Sequence, residues 1–270
     1  MPYPKLPDPA RVTACLKETS AEDILPRFRS LGAGDVMEKG PDDPVTVADL
    51  ASEKRLTRML AELVPGSVVV AEEAVSRDPA LLDLLAGDKP AWLIDPIGGT
   101  KTFLKGEAGF GIYVSLLQDG KALAGWIHDP VSGETTYAAR GEGAWDGGRR
   151  LFVPEAGELG AMRCYVHPNV YTYEEGERVR AQQLAFAGVE PIGSVGSAFR
   201  ALAWGRVHIG VFASMWPWDH APGVLIHREA GGYAARRDGA PYHATERFQS
   251  LLAAPDADSW RRVHDFLDVH

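Results

Sequence analysis

Apolar side chains recur at helical spacing over residues 10–31, where Val12, Leu16, Ile24, Leu25 and Phe28 stand among charged residues, and Gly32, Gly34 and Gly40 close the segment. The pattern predicts a second amphipathic helix over 46–63. Leu56, Met59, Leu60 and Leu63 share one side of it, Glu53, Lys54, Arg55 and Arg58 take the rest, and Pro65-Gly66 ends it. The chain then turns β-branched: Val68, Val69 and Val70 lead to Glu72, and residues 91–94 lead to Asp95, which places both carboxylates at the ends of predicted strands. Residues 113–117, 122–128 and 135–139 read as three more strands. They are parted by Asp119-Gly120 and by Asp129-Pro130-Val131-Ser132-Gly133, so an antiparallel meander is expected.

From about residue 151 strands and helices alternate: a strand over 163–167, a helix over 174–187, a short strand near Ile192, a helix over 198–205, a strand over 207–213, a helix over 219–230 and a strand after Gly232. This predicts an α+β half over residues 1–150, carrying the meander, and an α/β half over 151–270 that completes a site across a cleft.

The 270 residues, 45% hydrophobic and 24% charged, suffice to bury a core. Lys and Arg number 28 against 37 Asp and Glu, a formal net charge of −9, and no basic run occurs, so a nucleic-acid polymer is not an expected partner. No apolar stretch nears the roughly 18 residues of a membrane span, and no membrane partner is expected. The two cysteines, Cys15 and Cys164, are too few for a disulfide framework, and the opening MPYPKLPDPARV lacks the apolar centre of a signal peptide; both point to the cytoplasm.

Four acids stand at the ends of apolar elements: Asp49 in VTVAD, Glu72 in VVAEE, Asp95 in WLIDPIGGT and Asp219 in WPWDHAPG. Their wide separation means that only tertiary folding can gather them. Singly, each of three has a plainer role open: Asp49 as a solvated helix residue, Glu72 with Glu73 as a surface pair, Asp219 as an N-cap with Pro222 tolerated in the first turn. Asp95 is more specific. It follows Trp92-Leu93-Ile94 and precedes a Pro, two Gly and a Thr, a strand-to-helix turn that can aim the amides of Gly99 and Thr100 at one anion. That reads as a phosphate cradle beside a metal ligand, and hard oxygen donors without a His or Cys cluster favour Mg²⁺ over Zn²⁺ or copper.

Together these segments resemble the inositol monophosphatase superfamily of Mg²⁺-dependent, lithium-sensitive phosphatases, over roughly residues 10–254. VTVAD resembles the first acidic motif. VVAEEA resembles the G-E-E segment with Ala71 for Gly, WLIDPIGGTKTF resembles W-I-I-D-P-I-D-G-T-x-x-F, and WDHAPGVLIHREAGG resembles W-D-x-A-A-G-x-x-x-x-x-E-A-G-G with Pro222 for the second Ala. The resemblance implies a layered α-β-α-β-α sandwich of the inositol monophosphatase and fructose-1,6-bisphosphatase type. It implies hydrolysis of a small phosphorylated metabolite, two or three Mg²⁺ per site, and a homodimer. It also implies that Glu72, Asp95 and the carbonyl of Ile97 bind a first metal, and that Asp95 bridges to a second metal held by Asp219. Asp49 and Thr100 would orient and deprotonate the attacking water, and the amides of Gly99 and Thr100 would meet the phosphate.

The chain departs from the pattern at Gly98, where the family motif carries a second Asp that binds the second metal. That site is expected to weaken while the first survives, which leaves slow turnover or a phosphate-ligand binder without turnover, and Gly98→Asp is expected to restore the enzyme. A second departure is Phe212, which stands where inositol-specific members place an acid against the substrate. With Ala213, Ser214, Met215 and Trp216 it makes an apolar segment, so myo-inositol 1-phosphate is not the expected best substrate; the end of a buried strand is the other reading. The competing substrates are 3′-phosphoadenosine 5′-phosphate, histidinol phosphate and fructose bisphosphate. His220 beside Asp219 and His167-Pro168-Asn169 are further substrate candidates. Lys39 reads as a solvated loop lysine, His128 as a solvated turn residue, Arg200 as a surface ion-pair partner, and residues 193–197 as a turn with an N-cap.

Overall fold

A computed structural model describes residues 5–155, 157–168, 182–213, 215–246 and 250–268. Helix α1 (Pro9–Thr19) is capped by Asp8, and α2 (Val47–Leu63) by a capping box in which Thr46 Oγ1 accepts from the amides of Ala48 and Asp49 while Asp49 Oδ2 accepts from the Thr46 amide. The first helix is shorter than its apolar pattern predicts. It passes into a π-helical turn at Ser20–Ile24, because Pro26 has no amide to donate and its ring crowds the preceding turn.

Seven strands form one sheet in the order β3 (Val68–Ala71), β4 (Ala91–Gly98), β5 (Gly111–Gln118), β6 (Lys121–His128), β7 (Thr135–Ala139), β8 (Gly143–Asp146) and β9 (Arg149–Leu151). Within this sheet β3 and β4 pair in parallel; from β4 onward neighbours are antiparallel, so the expected meander is present and runs two strands further. A separate hairpin, β1 (Val36–Gly40) and β2 (Asp43–Thr46), precedes α2. The second sheet has the order β11 (Gly188–Val189), β10 (Arg163–Val166), β12 (Ile209–Phe212), β14 (Leu251–Ala254) and β13 (Tyr233–Arg236).

Alternation decides what each sheet face covers. Trp92, Ile94, Val114 and Leu116 bury against Val12 and Leu16 of α1 and Leu56 and Leu60 of α2. The opposite face, with Tyr113 and Ile127, meets α5 (Val195–Ala203) and α6 (Pro217–Glu229), whose other side is covered by Tyr165, Phe212 and Leu251 of the second sheet. Cys164, Ile209, Val211 and Leu252 then pack on Trp260 and Val263 of α7 (Ala257–Asp268). The result is the layered α-β-α-β-α order.

Two boundaries differ in ways that touch the site. The short strand is Gly188–Val189 rather than a segment at Ile192. Helix α6 starts at Pro217, so Asp219 lies inside its first turn rather than capping it, and Pro222 falls a turn deeper than expected. The helix expected over 174–187 lies mostly outside the described residues, as do Asn169 and Ser214.

Candidate active site

Strand β4 is buried at every residue and delivers Asp95, 1% exposed, into the layer between the sheets. After Asp95 its register with β5 shifts, and Gly99 turns the chain at φ +90°, a left-handed conformation that suits glycine, into the short helix α4 (Thr100–Leu104). Gly99 and Thr100 thereby open a helix whose first amides have no intrahelical acceptor. Thr100 Oγ1 donates to Ile97 O at 3.0 Å and lies 3.5 Å from Asp49 Oδ1. Asp49 comes from the first turn of α2 and is 1% exposed, so it is no solvated helix residue; its other oxygen, Oδ2, accepts from Thr46 Oγ1 at 2.5 Å.

Glu72 and Glu73 open helix α3 (Glu72–Arg77) at the end of β3. Glu53 of α2 fixes that helix start by accepting the Glu73 amide at 2.7 Å. Lys39, carried by β1, is not solvated: its Nζ lies 2.8 Å from Glu72 Oε1 and 2.9 Å from Glu73 Oε1, with the side chain 11% exposed. Although burial opposes its charge, Glu72 and Glu73 raise the ammonium above its ordinary range.

The acids bear the mark of crowding without enough counter-charge. Burial first, then Glu72 and Asp219, push the Asp95 carboxyl well above the usual carboxylate range. Burial and Glu72 bring Asp219 to about 7, burial and Glu72 bring Glu73 to about 8, and burial brings Asp49 to about 6 against its bonds from Thr46. Asp95 Oδ1 is buried and makes no hydrogen bond. Among the described residues no three acidic, histidine or cysteine side chains surround a ready-made ion position. The donors are nonetheless hard oxygens, drawn together from separate elements, with one oxygen left unpartnered, and this set suits a divalent cation that the side chains close around.

A cleft of about 630 Å³ runs past this cluster and is lined by Gly99, Thr100, Asp219, Gly193, Ser194 and His167. Tyr165, Pro168 and Ile192 line it too, so the His167-Pro168 segment borders the cleft. Phe212 and His220 do not. Phe212 is fully buried, stacked on Phe199 at 4.5 Å, because alternation in β12 turns it toward α5 and α6. His220 is fully buried with its Nδ1 3.0 Å from Trp216 O and its ring against Phe199 and Phe212, so it is a core histidine. His128 is also interior, 1% exposed and 2.9 Å from Thr135 Oγ1, rather than solvated. Arg200 is an interior hub, not a surface partner: it reaches Asp129, Glu134, Asp146 and Thr136 from α5.

The position of Gly98 corrects the expectation that an aspartate placed there would simply restore a ligand. A Cβ at Gly98 would fall 1.8 Å from Tyr113 Cε2, so no carboxylate fits beside it while that ring is in place. Sequence reasoning passed over Tyr113. Its signal was a phenol on the strand that follows the motif, on the sheet face that meets α5 and α6, beside a glycine where the motif calls for a larger residue.

Layered sheets around two helices, with acids gathered at the end of a strand that turns into a helix, define a class of layered α/β phosphatases. The chain belongs to the inositol monophosphatase family: the model of that family matches residues 9–265. A fructose-1,6-bisphosphatase/inositol-1-monophosphatase of Thermotoga maritima is 29% identical over 215 residues, which cover 79% of this chain and 80% of the relative. A histidinol-phosphatase of Chlorobaculum parvum is 30% identical over 200 residues, 73% of this chain and 74% of the relative. Among solved structures, an IMPase of Thermotoga maritima, 24% identical, covers 95% of both chains with a TM-score of 0.81 and shows the same fold. The family and these relatives are phosphatases acting on small phosphorylated metabolites. No helix among the described residues is long and apolar enough to cross a membrane.

Proposed function

We propose that the chain hydrolyses a small phosphate monoester with Mg²⁺ as its cofactor, as a cytoplasmic homodimer. The observation that carries the reading is the contact of Asp49 with Thr100, and of Thr100 with Ile97 O, beside the unpartnered oxygen of Asp95. Glu72, Asp95 and Ile97 O would hold the cation, with Asp219 across from them. When bound, the cation supplies counter-charge to the acids and polarises the phosphoryl group.

Asp49 is the proton acceptor in this reading. Its carboxyl, brought to about 6 by burial, is ionised yet basic enough near neutral pH to take a proton from a water held between Oδ1 and Thr100 Oγ1. Thr46 keeps Oδ2 occupied, so Oδ1 is the oxygen left for that water. The first amides of α4 face the non-bridging phosphoryl oxygens. The alcohol of the ester would lie along Tyr165, Ile192 and His167, a wall with a large apolar share that suits a compact or ring-bearing alcohol better than an all-hydroxyl ring. A competition assay in which myo-inositol 1-phosphate outperforms histidinol phosphate and nucleotide phosphates would remove that substrate preference.

A second reading, a phosphate-ester binder with little turnover, is favoured by one observation, the ring of Tyr113 beside Gly98. Phosphate release from a panel of monoesters with Mg²⁺ decides between the two. Turnover that falls about 100-fold or more in Asp49→Asn and in Asp95→Asn supports the enzyme, whereas calorimetric binding of the same esters with no release supports the binder.

A further inference from the structure

Tyr113 fills the space beside Gly98 and is held there from both halves of the chain. A Cβ at Gly98 would fall 1.8 Å from its Cε2, and a Cβ at Gly196, in the first turn of α5, would fall 2.4 Å from its Cε1 and Cζ. The ring therefore needs a glycine on each side. Its hydroxyl lies 3.0 Å from Gly98 O and 2.7 Å from Ser194 Oγ. Ser194 caps α5 by accepting from the Ser197 amide, and its Oγ lies 3.0 Å from Ser197 Oγ, which donates to Gly109 O.

Counting protons constrains this chain. Gly109 O can only accept, so the Ser197 proton goes there and Ser194 donates to Ser197 or to the phenol; Gly98 O likewise only accepts, so the single Tyr113 proton serves either Gly98 O or Ser194 Oγ, and the hydroxyl bridges the two. The phenol is fully buried and neutral, and burial and Asp95 raise its pKa well above the ordinary value. It thus brings no further charge to a site where Asp95 and Asp219 already repel each other.

We propose that Tyr113 and Gly98 are a reciprocal exchange. The phenol takes the space of a ligand carboxylate, leaves Asp95 and Asp219 as an incomplete second cation position, and braces the Ser194 wall of the cleft against the end of β4. The chain then holds one divalent cation tightly, on Glu72, Asp95 and Ile97 O. Tyr113 acts as a positioning residue for the cleft wall. This rests on the reading of the acids as cation ligands given under the proposed function.

The test is titration of the full chain with Mn²⁺, followed by electron paramagnetic resonance and calorimetry, in the wild type, Gly98→Asp, and the double variant Gly98→Asp/Tyr113→Ala, each with a melting curve. One tight Mn²⁺ is expected in the wild type. Gly98→Asp is expected to melt more than about 5 °C lower without gaining an ion, and the double variant to melt above Gly98→Asp and bind a second ion. Two tight ions in the wild type, or a second ion in Gly98→Asp with an unshifted melting curve, overturn the proposal. A wild type that binds no Mn²⁺ instead overturns the parent reading of the acids. If the double variant does not fold, Tyr113→Phe decides. It keeps the ring and loses the hydroxyl, and is expected to keep one Mn²⁺ while raising KM for p-nitrophenyl phosphate about fivefold or more with kcat changed less. An unchanged KM removes the bracing role.

Discussion

At the scale of single residues, Lys39 shows what the acidic cluster demands. Its ammonium stands between Glu72 and Glu73 as an internal counter-charge, and a buried ion pair that loses one partner leaves the other uncompensated at a cost of about 3–5 kcal/mol. Glu73 can relieve part of that by taking up a proton, since its carboxyl is already brought to about 8. Lys39→Met should therefore melt several degrees below the wild type in the presence of EDTA, and Mg²⁺ should restore most of the difference. An equal drop with and without Mg²⁺ would show that the lysine does not share the cation's place. The four acids themselves were legible in the sequence, because each ends an apolar run. Lys39 was not: its ammonium position depends on the β1–β2 hairpin folding back over α3, and nothing in its neighbours along the chain encodes that.

Elements carry a different part of the record. Period and turn residues located α2, β4 and the meander closely, since these depend on local patterning that the chain displays openly. Facing was harder to read. Phe212 was drawn toward the site by the family position it fills and His220 by its nearness to Asp219, but β12 alternates Phe212 into the layer of α5 and α6, and α6 turns His220 the same way. Helix α5 is tied to the first sheet by Arg200, which reaches Asp129, Glu134 and the 4%-exposed Asp146. Trp204 Nε1 also donates to Asp146, so that carboxylate would retain only neutral donors without the guanidinium. Arg200→Ala is expected to cost about 3 kcal/mol by denaturant unfolding, and Arg200→Ala with Asp146→Asn less than the sum of the two single changes. Additivity would mean that the pair does not act as a unit.

For the molecule as a whole, two sets of buried groups pull stability in opposite directions with pH. Asp49, Glu73, Asp95 and Asp219 have raised folded values against about 4 in the unfolded chain. That contribution is present at low pH and, for Asp49, Glu73 and Asp219, is lost as pH rises through about 6 to 8. His128, His220 and His227 are each brought to about 4 by burial, against about 6.5 unfolded, so their contribution is present above that value and is lost as pH falls toward 4. In EDTA the melting temperature should rise as pH falls from 9 to 6.5 and then level off. With saturating Mg²⁺ the acids hold a cation in place of protons, and the slope above pH 6.5 should flatten or reverse. Identical slopes in the two conditions would count against a cation among these acids.

The ring of Tyr113 also bears on how such a site changes over generations. It presses on Gly98 from one segment and Gly196 from another, so an aspartate arriving first at 98 collides with the ring, while a small residue arriving first at 113 leaves a hole in the core. Neither single step is an easy passage. Sequences descended from this one should therefore keep the glycines and the tyrosine as a linked set, and a lineage that has left the two-carboxylate motif by this route will seldom find its way back.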